Sequence, residues 1–76
     1  MNADKAFDDD AVDQFAEAMK SKLDRKREQG RGGWYLGSCT QEMLSEMLRD
    51  HVEKGDPVDV GNFAMMLFFR NERIKS

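Results

Sequence analysis

An internal disulfide is excluded: Cys39 is the only cysteine, and a lone thiol suits a reducing compartment. Clustered Cys/His metal ligands are excluded by the same scarcity, because His51 is the only histidine. The longest apolar run, Phe63 to Phe69, falls far short of the ~20 residues that cross a bilayer, so no membrane contact is expected. The opening Met1-Asn2-Ala3-Asp4-Lys5 is polar and acidic, not a basic segment leading into an apolar one. No signal peptide is therefore expected, and the expected location is cytoplasmic. A net charge of −3 disfavours general affinity for nucleic acid. With 76 residues there is room for one small domain, which buries only roughly 60–65% of its unfolded surface. Lacking disulfides and a metal cluster, such a chain has association with another subunit as its remaining support.

What is present is helical patterning. The only proline, Pro57, follows Asp56, which can accept from the orphan amides of a helix start; Asp59 lies three residues on, where a carboxylate can reach back and oppose the dipole. Phe63-Ala64-Met65-Met66-Leu67-Phe68-Phe69 then forms a run too continuous for a one-sided stripe, so this third helix is expected to be covered on most of its circumference. Earlier, Val12, Phe15, Ala16, Met19 and Leu23 recur at helical spacing, with a cap among Asp8, Asp9 and Asp10 and a stop at Gly30. A second helix, opened by Thr40 or by Ser38 with Gln41, carries Met43, Leu44, Met47, Leu48 and Val52 and ends before Gly55. The fold class is thus all-α: a compact three-helix bundle over about residues 9–29, 40–54 and 57–73. Residues 1–8 are expected as a flexible acidic lead-in to a single domain, 9–76.

Charge is polarised along the first helix. Aspartates crowd its start, whereas Lys20 to Arg31 holds six basic residues against two acidic ones. A solvated, dipole-matched helix end explains that arrangement, and a patch for phosphates or an acidic partner protein is the functional reading. Gly30-Arg31-Gly32-Gly33-Trp34-Tyr35-Leu36-Gly37-Ser38 lacks the Lys-Ser/Thr of a P-loop, and its G-x-G-x-x-G spacing fails at Tyr35. Its glycines let the chain reverse while Trp34, Tyr35 and Leu36 cap a small core. The partner-binding candidates are Arg25, Lys26, Arg27, Arg31 and Trp34.

The corner between helices two and three gathers Asp50, His51, Glu53, Lys54, Asp56 and Asp59. Asp50 with Glu53, and Asp56 with Asp59, each stand three apart on one helix face, and two facing carboxylate pairs are what a Mg²⁺ site for phosphate chemistry requires. Capping, an outward polar face and a dipole-compensating His51 explain the same residues without a metal. Cys39 neighbours a helix start but has no base beside it in sequence, so it is not read as a nucleophile. The tight turn at Gly55 imitates a helix-turn-helix, but its second helix is too apolar to lie in a groove.

Asp56-x-x-Asp59-Val60-x-Asn62-Phe63-Ala64-Met65-Met66-Leu67, preceded by Lys22-Leu23 and Gly32-Gly33-Trp34, resembles small phage-encoded proteins of the MazG-like kind over roughly residues 15–70. That resemblance implies an all-α nucleoside triphosphate pyrophosphohydrolase fold in a host cytoplasm, with Mg²⁺ held by E-x-x-E on one helix and E-x-x-D on the next. Carried over by position, Asp56 and Asp59 fill the second pair. His51 and Lys54 fall on the first, and only a shift of one residue puts Asp50 and Glu53 there. Gly55 alone separates the pairs, where the family has a longer connection.

The expectation that follows is a non-enzymatic protein without a cofactor, acting by protein–protein interaction, with itself and with a host protein as partners. The alternative is a minimal Mg²⁺-dependent pyrophosphohydrolase using Asp50, Glu53, Asp56 and Asp59. A homodimer is expected on the third helix: Val60, Phe63, Leu67 and Phe68 face the intrachain core, leaving Met65, Met66 and Phe69 for the partner copy.

Overall fold

The computed structural model describes residues 2–76, which form three α-helices and no strand: α1 (Ala3–Glu28), α2 (Gln41–Lys54) and α3 (Pro57–Phe69). The all-α expectation with three helices is met. No helix among the described residues is long and apolar enough to cross a membrane.

Starts and stops follow local chemistry. Asp56 Oδ1 accepts from the amides of Val58 (3.0 Å) and Asp59 (3.2 Å), and Thr40 Oγ1 from that of Met43 (3.1 Å). At their C-terminal ends all three helices turn through a left-handed residue: Gly30 (φ 80°), Gly55 (φ 79°) and Asn71 (φ 58°). Each makes the paired back-bonds of a Schellman turn, as in Asp56 N–H to the His51 carbonyl and Gly55 N–H to that of Val52. Asn71, one of the few non-glycine residues at ease in this conformation, stops α3 at Phe69 instead of near residue 73.

The first helix begins at Ala3, not near residue 9. Asn2 caps it by accepting from the Lys5 amide at 3.3 Å, Asp4 occupies its first turn, and Lys5 pairs with Asp9 one turn on. An apolar stripe marks burial rather than helicity, so the stripe from Val12 onward misplaces the start. Residues 2–15 are exposed throughout, with Phe7 at 76% and Val12 at 65%.

Leu44, Leu48, Phe63, Met66 and Leu67 form the core, with Leu23, Trp34, Cys39, Met47, Val60, Ala64 and Met65 packed around it. α3 is the centre: α1 and α2 both pack on it, yet their own Cα atoms never approach within 8 Å of each other. The expected burial of α3 needs two corrections. Phe68, assigned to the core, is 84% exposed, because α3 is flanked on two sides only. Met66, assigned to a dimer surface, is 6% exposed within the core, whereas Met65 is half-buried and Phe69 lies edge-on to Trp34 at 5.7 Å.

Beyond Asn71 the chain doubles back along α2. The Lys75 amide donates to buried Ser45 Oγ at 2.9 Å, Gln41 Nε2 to the Arg73 carbonyl at 2.8 Å, and Lys75 Nζ pairs with Glu42 at 2.7 Å. That contact raises the Lys75 pKa and lowers that of Glu42.

Candidate functional site: a basic-rimmed cleft between the flanking helices

Because the α1 and α2 backbones stay apart, the space over α3 between them is open as a cleft of about 630 Å³. Its floor is apolar, made of Leu23, Leu44, Met47, Phe63 and Met66. Trp34 and Tyr35 from the glycine-rich loop wall one end. The charged groups that line it are Lys26, Arg27, Arg31 and Lys54, with His51 beside them, and no carboxylate is among its walls. In a chain of net charge −3 this is a local inversion of sign.

Sequence order explains how these residues meet. Lys26 and Leu23 stand three apart on α1, so both face α3, where Lys26 Nζ lies 6.0 Å from the Phe63 ring centroid. Gly30 reverses the chain immediately afterwards, which carries Arg31 and Trp34 to the cleft instead of onward along the helix. Tyr35 and Leu36, expected to cap the core, are 67% and 53% exposed, so Trp34 alone of the three packs against it. Tyr35 stands edge-on to Trp34 at 5.8 Å.

Of the partner-binding candidates, Lys26, Arg27, Arg31 and Trp34 come together here; Arg25 is exposed and does not line the cleft. Lys54 and Tyr35 join them without having been singled out. The signal for Lys54 was its place in the last turn of α2, next to the corner into α3.

Behind the cleft lies an ionic knot. Asp59 is buried at 6% exposure and does not reach back to the cap, since the Asp56 amide is already bonded to His51. Its carboxylate points at α1 instead, with Lys22 Nζ 3.3 Å from Oδ2 and Lys26 Nζ 3.8 Å from Oδ1. His51 Nε2 stands 3.7 Å from Asp59 Oδ2, while its Nδ1 donates to the Met47 carbonyl at 2.7 Å. Lys22 also pairs with Asp56 at 3.1 Å. The cap amide of Asp59, then Lys22, hold the Asp56 pKa down to about 2, and the two carboxylates raise that of Lys22.

The four carboxylates suggested for Mg²⁺ do not converge. Asp50 and Glu53 are exposed on α2, and among the described residues no group of three or more His, Cys, Asp or Glu is placed to hold a metal ion. The space between Asp56 and Asp59 is filled by the Lys22 ammonium, which a divalent cation would have to displace. The Asp56–Asp59 pair thus holds an ammonium group where the resemblance implies a metal ion. Comparison with protein-family models, with curated proteins and with solved structures finds no match to this chain.

Proposed function

We propose that this protein is a non-enzymatic interaction module of the cytoplasm, which takes an acidic, amphipathic segment of a protein partner into the cleft between α1 and α2. The observation that carries the reading is the composition of that cleft: an apolar floor with a rim whose charged groups are all basic. An aromatic or aliphatic anchor would remove the floor from water, while carboxylates beside it would meet Lys26, Arg27, Arg31 and Lys54. Lys26 is matched within the chain by Asp59 and Arg27 by Asp24, which leaves Arg31 and Lys54 as the rim cations without an ion pair among the described residues. A second copy of the chain and a host protein are the partners proposed, and the working state is a homodimer.

Trp34 is the only tryptophan and stands in the cleft wall, so it reports occupancy directly. A synthetic acidic helix with one phenylalanine anchor, titrated into dilute protein, is expected to change Trp34 emission. The effect should weaken with added salt and with Arg31→Glu. Emission that stays constant to millimolar peptide, or an equal response to a basic helix of the same length, would overturn the proposal.

A further inference from the structure

We infer that the cleft of each chain receives the N-terminal arm of a second copy, residues 3–14 of α1, in a reciprocal exchange that closes a two-fold dimer. The inference rests on the proposed cleft-binding role and names its occupant. Two features without a partner in the single chain match one another. The arm is helical and exposed along its whole length, and it carries five aspartates against one lysine. Its largest apolar side chain, Phe7, is 76% exposed, and Val12 is 65% exposed. The cleft offers the complement, an aromatic-sized apolar floor under a basic rim.

Helical geometry sorts the arm's charges. Asp4 and Ala11 share the Phe7 face, with Asp8 and Asp10 flanking it on either side. The only arm cation, Lys5, lies on the opposite face in its ion pair with Asp9. An approaching rim therefore meets Phe7 between carboxylates and no ammonium group.

The arm cannot serve its own cleft. Phe7 and Lys26 lie on one continuous helix, roughly 28 Å apart along its axis. A second copy can supply it: antiparallel pairing of two α1 helices about residues 16–17 sets Phe7 of each level with Lys26 of the other. Both seatings form together, and the acidic half of each helix lies along the basic half of its mate. Such an exchange closes after two chains instead of propagating into a filament.

The test is a charge swap on exposed residues, read by light scattering behind size exclusion at micromolar concentration. Wild type is expected at twice the 8.8 kDa chain mass. Asp8→Lys/Asp10→Lys in the arm, Arg27→Glu/Arg31→Glu on the rim, and Phe7→Ser are each expected to give monomers with unchanged helix content. An equimolar mixture of the two charge-swapped proteins should return to dimer, since the unaltered arm of one then meets the unaltered rim of the other and the introduced lysines face the introduced glutamates. A monomeric wild type, or dimers that persist in both reversed proteins, would overturn the exchange. The acidic-helix titration on the arm-reversed protein separates the two readings. With a monomeric wild type, a Trp34 response there leaves the cleft as a binding site and removes only the arm as its occupant; no response there removes the binding site itself, and the exchange with it.

Discussion

Arg70, the residue that follows α3, donates from Nη1 to the Trp34 carbonyl at 2.7 Å, tying the end wall of the cleft to the central helix. The same nitrogen reaches the Cys39 carbonyl at 2.5 Å, and Glu72 holds the other side of the guanidinium, 3.0 Å from Nε and 3.2 Å from Nη2. One planar fork thus pins both ends of the segment from Trp34 to Cys39, and a lysine point charge cannot reproduce it.

Arg70→Lys is accordingly expected to cost about 1.5–3 kcal/mol of stability, the scale of charge-assisted hydrogen bonds to partly buried carbonyls. The loss should be local in character. Amide exchange should accelerate in residues 33–39, Trp34 emission should shift toward that of a solvated indole, and affinity for the acidic helix should fall. Unchanged exchange in that loop would show that its shape is set by the glycine-rich segment alone.

The acid side of the stability curve should report Asp56. Its carboxyl ordinarily titrates near 3.8 and is held at about 2 by the Asp59 amide and the Lys22 ammonium. The folded state therefore binds this proton less readily than the unfolded chain. Its contribution is complete above about 4 and is lost as pH falls toward 2. Asp56→Asn keeps an oxygen for the cap but cannot ionise, so it should flatten that part of the curve. At the alkaline end the raised Lys22 also stabilises but with the opposite pH dependence: its contribution is present below 10.5 and is lost as pH rises above it. Urea midpoints of wild type and Asp56→Asn across pH 2 to 5 check the acid limb, and parallel curves would remove Asp56 from it.

Local chemistry made much of this fold legible. Asp56-Pro57, Thr40, Gly30 and Gly55 act within one turn of themselves, so the boundaries they set could be read from neighbours in sequence. The orientation of α3 could not. Seven consecutive apolar residues carry no periodicity, and nothing in the run distinguishes buried Met66 from exposed Phe68. The early start of α1 was hidden for the opposite reason, since its first turns bury nothing and carry no stripe to betray them. The cleft arises from separation, being the gap left when α1 and α2 each meet α3 with their backbones apart. Its basic rim was half legible, because the charge polarity of residues 20–31 is plain while the arrival of Lys54 depends on where α2 comes to rest.

Under the proposed function the purified protein should release no pyrophosphate from deoxy- or ribonucleoside triphosphates with Mg²⁺ or Mn²⁺. Asp56 and Asp59 are committed to Lys22, and Asp50 and Glu53 face water on α2. Turnover that disappears in Asp59→Asn, with helix content retained, would replace the interaction reading by the hydrolytic one.

The final prediction concerns how closely α1 can approach α3. Gly61 sits mid-helix beneath Phe15, where an added Cβ would stand 2.5 Å from Phe15 Cζ, 2.6 Å from its Cε2 and 3.5 Å from Met19 Sδ. Two terms oppose each other in Gly61→Ala. Alanine favours the helix over glycine by about 1 kcal/mol. The new methyl also pushes on an aromatic ring whose far end must swing aside, and Phe15, 39% exposed, has room toward water. These should nearly cancel, leaving Gly61→Ala within about 0.5 kcal/mol of wild type. In a Phe15→Ala background the clash is absent, and the same substitution should stabilise by about 1 kcal/mol. The difference is a coupling energy measurable from the urea midpoints of the four proteins. Gly61→Leu should go further, lifting α1 from α3 and taking Leu23 and Lys26 out of the cleft, so that Trp34 no longer responds to the acidic helix. Equal effects of Gly61→Ala in both backgrounds would mean that Phe15 does not rest on this glycine, and that α1 is placed by the Lys22–Asp59 contact instead.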